Sequence, residues 1–243
     1  MTVYYSEPFT LDIRGRSVFV SGEPWDFTVR DVKGMAEVLM DKKALPRDFP
    51  LYFMYRGLLE KEGMRYDITI MPPKLIAGEF AKTYGHYHPK DGGGLGYPEV
   101  YQIIDGSAVF IMQKKRSDYS VDAMIVRGEK GDAVLIPPNW GHVTVNPTED
   151  RVLVLSNVVA NCFDSDYKDY KENRGAAFYY TKNGFEQNER YIIRSTERKT
   201  VEELNGEYGV SFSDIFKEFN SNPEKFEFLK KPELIKRIGA QNL

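Results

Sequence analysis

Residues 83–101, TYGHYHPKDGGGLGYPEVY, hold two of the chain's three histidines one residue apart, followed by a run of glycines and the acid Glu99. In extended backbone, residues i and i+2 point to one face. His86 and His88 would therefore aim both imidazoles at a common point, as a shared metal requires. Two neutral imidazoles suit iron(II), manganese, nickel, zinc or copper, although a lone His-x-His also occurs on solvated strand faces. The third histidine, His142, lies in IPPNWGHVTVN (136–146), where a turn gives way to a strand. With Glu99 it would complete a set of imidazole nitrogens and one carboxylate, leaving positions open for water or substrate. Asp91, on the loop after HPK, is the competing acid. The glycines do not make a phosphate loop: no Lys-Ser/Thr follows DGGGLG, and no G-x-G-x-x-G fits between a strand and a helix. An adaptable lid or rim loop is the expected role.

Outward from this stretch, residues 50–162 read as short strands: LYFMYRGLLE, RYDITIMPP, EVYQIIDGSAVFIMQK, AMIVRG, DAVLIPP, HVTVNP and RVLVLSNVV, separated by Gly, Pro, Asn and Asp. Many short strands with tight turns argue for an all-β barrel or sandwich. Before them, DIRGRSVFV suggests strands, and Val32, Met35, Ala36, Leu39 and Met40 recur at helical spacing behind Asp31, a natural N-cap. After about residue 190 the pattern turns helical. Phe212, Ile215, Phe216 and Phe219 form a stripe, Asn222-Pro223-Glu224 reads as a helix start, and ELIKRI follows Pro232. This segment is expected to pack as an appendage on the barrel or on a second subunit.

Composition bounds the partners. The chain is long enough, at 243 residues, for a sizeable core. Its 16 Tyr and 15 Phe favour sheet, since aromatics fit a pleated, half-buried surface. A net charge of −3 gives no reason to expect nucleic acid or an anionic membrane as partner. MTVYYSEPFT lacks the basic and apolar regions of a secretory signal, and the longest apolar run, VLVLSNVVANCF, is short and broken by Ser156 and Asn157. Cys162 is the only cysteine, which rules out an internal disulfide. It reads as a small residue near the end of a buried strand. A cytoplasmic protein is expected.

The opening stretch resembles the first cupin motif: a glycine before His-x-His, then a glutamate, then a glycine seven residues on, a spacing Glu99 and Gly106 hold. Gly131, Pro137, His142 and Asn146 fall as in the second motif, with Asn139 standing where glycine is usual, a residue that tolerates tight turns. The gap from His88 to Glu99 is longer than cupins commonly have, the excess being DGGGLGY. Taken with FTVRDVKGM, LYFMYRG and YDITIMPP upstream, the set is similar to the cupin-type glucose-6-phosphate isomerases found mainly in archaea, over about residues 5–190.

The resemblance implies a mainly β protein. Its double-stranded β-helix (jelly-roll) barrel would carry an N-terminal helix and a C-terminal helical extension, with residues 1–190 as the cupin isomerase domain and 191–243 as the extension. It implies interconversion of glucose 6-phosphate and fructose 6-phosphate, a step of glycolysis and gluconeogenesis, in a cytoplasmic homodimer. One divalent metal per subunit is implied, iron(II) foremost, with manganese, nickel or zinc as alternatives. His86, His88, Glu99 and His142 would be its ligands. Glu99, Tyr101 and Tyr52 would form the catalytic set, with Tyr55 competing for the role of Tyr52. Thr69, Thr83 and Gly85 would lie at the sugar-phosphate end, Lys90 would help electrostatically, and Tyr167 would line the sugar pocket. Ser165 stands where the family can carry a second acid–base histidine. Proton transfer through a cis-enediol and a metal-assisted hydride shift are both open. The competing readings are an iron-dependent cupin dioxygenase and a non-catalytic sugar-phosphate-binding cupin.

Overall fold

Residues 2–5, 10–41 and 48–235 are described by a computed structural model. An N-terminal sheet comprises β1 (Thr2–Tyr5), β2 (Leu11–Arg14), β3 (Ser17–Val20) and β4 (Glu23–Pro24). Next come β5 (Thr28–Asp31), α1 (Val32–Met35), β6 (Pro50–Lys61) and β7 (Met64–Met71). A short hairpin, β8 (Leu75–Ile76) and β9 (Glu79–Phe80), leads into the histidine segment. The central strands follow: β10 (Glu99–Asp105), β11 (Ser107–Lys115), β12 (Val121–Glu129), β13 (Ala133–Ile136), β14 (Trp140–Val145) and β15 (Leu153–Ala160). The chain closes with α2 (Lys168–Glu172), β16 (Phe178–Thr181), β17 (Gly184–Gln187), β18 (Ile193–Lys199), α3 (Val201–Glu207) and α4 (Ile215–Ser221).

Two sheets face each other. One has the order β13-β10-β15-β7-β6-β5 and the other β14-β11-β12-β18. From β10 to β15 the chain passes to the second sheet for β11 and β12, returns for β13, crosses for β14 and returns for β15. That alternation is the expected jelly-roll topology. Ile103, Phe110, Met112 and Leu155 fill the space between the sheets.

The outer face of the six-stranded sheet is covered too. Leu11, Ile13 and Val18 of the N-terminal sheet, with Ile215, Phe216, Phe219 and Phe226, pack against Tyr55, Tyr66, Ile68 and Val158. Burial on both faces explains why β15 reads as a nearly continuous apolar run instead of alternating.

Asp31 caps α1 as the sequence suggests, its Oδ1 accepting from Gly34 N at 2.7 Å. The helix tightens into a 3₁₀ turn at Ala36–Val38. A buried pair fastens this piece: Lys82 Nζ donates to the Val38 carbonyl at 2.7 Å and to Glu79, whose other oxygen accepts from Met40 N at 2.9 Å.

The structure alters the C-terminal reading in two respects. Residues after 190 begin with a strand, β18, which pairs in parallel with β12; helices start only at Val201. The Asn222-Pro223-Glu224 start leads into a 3₁₀ helix, Pro223–Leu229, in place of an α-helix. The end of ELIKRI, beyond residue 235, lies outside the described residues. Cys162 follows β15 and is exposed, because the strand stops at Ala160 before reaching it.

Candidate metal centre and its pocket

His86 and His88 stand on the segment between β9 and β10, which is stitched to β14 at the third histidine. His86 N donates to the His142 carbonyl at 3.3 Å and His142 N to the His86 carbonyl at 3.0 Å. Glu99 opens β10. The His86 and His88 Nε2 atoms lie 3.2 Å apart. Glu99 Oε2 is 3.5 Å from His88 Nε2 and 3.4 Å from His142 Nε2. The ligand atoms of His86, Glu99 and His142 all fall within 4.8 Å of one another.

Burial holds the imidazoles neutral. His88 is pushed down to about 4, and His86 and His142 fall well below the ordinary histidine range. Burial pushes Glu99 up to about 8, with Asp67 adding to the rise while Arg65 and Tyr101 oppose it. Glu99 Oε2 is buried without a hydrogen-bond partner, a cost that a native site carries for a reason. Neutral imidazole nitrogens converging on an orphaned carboxylate oxygen form a donor set that fits a divalent first-row metal.

The glycine-rich insertion has a definite job. Asp91 Oδ1 accepts from Gly93 N at 2.9 Å and Leu95 N at 2.8 Å, and Lys90 bridges Gly96. Gly96 N donates to Asn139 Oδ1 at 2.8 Å. The loop is thus pinned as a turn at the rim, and Asp91 is committed to it rather than to the cluster. It delivers the Tyr97 carbonyl, which accepts from His88 Nδ1 at 2.8 Å and leaves Nε2 free to ligate. Asn139 adopts φ +70°, the left-handed turn for which Asn substitutes for glycine.

Tyr52, Thr69, Thr83, Tyr101 and Tyr167 line the pocket above the cluster. Tyr101 Oη lies 3.1 Å from His142 Nε2 and also hydrogen-bonds Glu99. Tyr52 Oη accepts from Tyr84 N at 3.3 Å, and the Tyr167 ring stands 5.5 Å from that of His86. Tyr55 points to the opposite face of β6 and donates to the Arg16 carbonyl, so Tyr52 is the pocket tyrosine.

Two expected residues are not in the lining. Lys90 is exposed on the rim turn. Gly85, at φ +86°, packs so closely that a Cβ would lie 2.4 Å from Tyr170 and 2.5 Å from Val143, which accounts for the glycine structurally.

Other lining residues escaped the sequence reading: Arg56, Arg65, Asp67, Asn157, Phe163 and Met54. Their signal was available in the two-residue strand period. Tyr52, Met54 and Arg56 share one face of β6, as Arg65, Asp67 and Thr69 share one face of β7. Charged residues at positions facing into a barrel are the anomaly that marks a site.

A family model described as glucose-6-phosphate isomerase (GPI) matches residues 51–197. The glucose-6-phosphate isomerase of Pyrococcus furiosus is 26% identical over 187 residues, covering 74% of this chain and 93% of its own. That of Thermococcus onnurineus is 32% identical over 150 residues, covering 59% and 75%. Among solved structures, a formate complex of Lactobacillus farciminis oxalate decarboxylase aligns with a TM-score of 0.37 at 19% identity, over 51% of this chain and 33% of that one.

Proposed function

The chain belongs to the glucose-6-phosphate isomerase family, and from that premise we propose that it interconverts glucose 6-phosphate and fructose 6-phosphate above the histidine cluster. The observation that carries the reading at this site is the orphaned Glu99 Oε2 facing His88 and His142 beneath a wall of hydroxyls. His86, His88, Glu99 and His142 would hold one divalent ion, iron(II) being our choice. Such an ion supplies Lewis-acid polarisation of the substrate's oxygens.

The chain's own residues supply the rest. Glu99 removes the C2 proton of the open-chain aldose and returns it to C1 by way of a cis-enediol. Asp67, the other carboxylate in the wall, is committed: its oxygens accept from Gly57 N at 2.8 Å and Arg65 Nε at 2.9 Å. Tyr101, between Glu99 and His142, passes the hydroxyl proton from O2 to O1. Tyr52, Thr69, Thr83 and Tyr167 orient the sugar. The enzyme would act in the cytoplasm, in glycolysis or gluconeogenesis, as a homodimer.

A coupled assay of fructose 6-phosphate conversion, with and without chelator, tests the proposal. Conversion restored by added iron(II), manganese or nickel supports it; no conversion with any of them overturns it. Deuterium uptake at C2 during turnover supports Glu99 as the proton carrier, and its absence would assign the hydrogen to a hydride shift. Sedimentation at twice 28.0 kDa would support the homodimer.

A further inference from the structure

His88 is held from outside the donor cluster at two points. Its Nδ1 bonds the Tyr97 carbonyl at 2.8 Å, and its ring faces that of Phe163 with the centroids 4.7 Å apart. Tyr97 closes the triangle, its ring stacked on Phe163 at 4.8 Å and 17°. His88, Phe163 and Tyr97 thus form one stack that joins a candidate ligand to the end of the glycine-rich loop.

Phe163 is placed there by anchors on either side. Asn161 N donates to the Gly63 carbonyl at 3.1 Å just after β15 ends, and Asp166 exchanges backbone bonds of 2.9 and 2.8 Å with Tyr87, between the two histidines. Between these anchors Asn161, Cys162 and Asp164 are exposed, whereas Phe163 turns inward to the pocket lining. The loop on the other side of the stack is entropically unfavourable to order. Gly92, Gly93 and Gly94 are consecutive and exposed, and glycine loses more conformational freedom on fixing than any other residue. The bond from Gly96 N to Asn139 Oδ1 is one anchor for it. The Tyr97 ring on Phe163 supplies a second, apolar one, an offset aromatic pair that adds to plain burial. Tyr97 carries both the stacked ring and the carbonyl that His88 Nδ1 bonds, so seating the loop and orienting His88 are one event.

We propose that Phe163 is a positioning residue acting through His88 and Tyr97: it keeps the glycine-rich loop seated, so that a divalent ion held by the cluster is retained and shielded from water. The proposal rests on the metal reading above. Contacts that orient a ligand from outside change metal affinity by about 10- to 100-fold.

The test follows release of nickel(II) from the loaded full chain to a chromogenic chelator, together with hydrogen exchange of the peptide spanning residues 89–98. Wild type, Phe163→Ala, Phe163→Tyr and Tyr97→Leu are compared. Phe163→Ala is expected to release the ion about 10- to 100-fold faster and to speed exchange in the loop, with the β10 and β15 peptides unchanged. Phe163→Tyr keeps the ring and should stay within about threefold of wild type. Tyr97→Leu, which removes the stacked ring but keeps the carbonyl, should fall between. Equal release by wild type and Phe163→Ala overturns the proposal. So does faster release with unchanged loop exchange, or exchange raised equally throughout the barrel, which would mean general loosening. If the wild type takes up neither nickel(II), manganese(II) nor iron(II), the metal reading fails; unchanged loop exchange in Phe163→Ala would then overturn the seating role as well.

Discussion

The smallest unit that decides this site is a single imidazole. His142 comes from β14, far along the chain from His86 and His88, and reaches Glu99 Oε2 at 3.4 Å. His142→Ala should cut bound metal from about one per chain to well under a tenth and lower kcat/KM by at least about 10³, since a site stripped of one of so few ligands loses affinity steeply. Metal analysis of the purified variant, read beside its activity, checks this; full metal content with normal activity would remove His142 from the site. Gly85 is decided by shape instead. A Cβ there meets Tyr170 and Val143 well inside contact distance at φ +86°. Gly85→Ala should therefore destabilise the fold by about 2–4 kcal/mol, measurable by urea unfolding, and a loss under about 0.5 kcal/mol would show that the segment can shift freely.

At the scale of elements, polar residues tie the C-terminal segment to the barrel. Gln102 on β10 donates to the Gly131 and Ser213 carbonyls at 3.1 and 2.9 Å and accepts from Ile215 N at 3.0 Å. Asn205 of α3 lies along the free edge of β13, bonding the Ala133 carbonyl at 2.7 Å and Leu135 N at 3.2 Å, which covers an otherwise open strand edge.

The entry to α4 carries a pH dependence. Burial works to raise Glu218, but hydrogen bonds from Lys225, Ser213 and Asp214 outweigh it and hold the carboxyl at about 2. A carboxyl depressed in the folded state contributes stability above its unfolded value, about 4.3, and loses it as the pH falls toward 2. Glu218→Gln should cost about 1 kcal/mol at pH 7, solvent screening included. The gap from wild type should close between about pH 4.5 and 2. Melting temperatures across that range test it; a gap that is constant with pH would assign the loss to shape rather than charge.

For the whole molecule, the C-terminal segment is part of the core. Phe216, fully buried, meets the Tyr66 ring at 5.0 Å on the back of the six-stranded sheet, away from the pocket. Phe216→Ala should lower stability by about 3–5 kcal/mol and leave kcat/KM at 25 °C within about twofold. Chemical unfolding and the coupled assay together check this, and a matching collapse of activity in folded protein would mean that the outer layer supports the site directly.

The local chemistry of this protein was legible in its residues. His-x-His in extended backbone must share a face, Asp31 before a helical spacing must cap, and Asn139 replaces glycine where a turn demands positive φ. Those are short-range rules of backbone geometry, and they hold wherever the segment sits. Which acid faces the histidines, which tyrosine enters the pocket and why Gly85 is glycine were decided only by tertiary structure. Each depends on strand register and on what packs from elsewhere: Glu99 on the pairing of β10 with β15, Tyr52 on the parity of β6, Gly85 on α2 closing behind it. The strand period already puts Arg56 on the face of Tyr52 and Arg65 on that of Thr69. They become a charged wall only because two strands, bulged at Gly57, turn them inward.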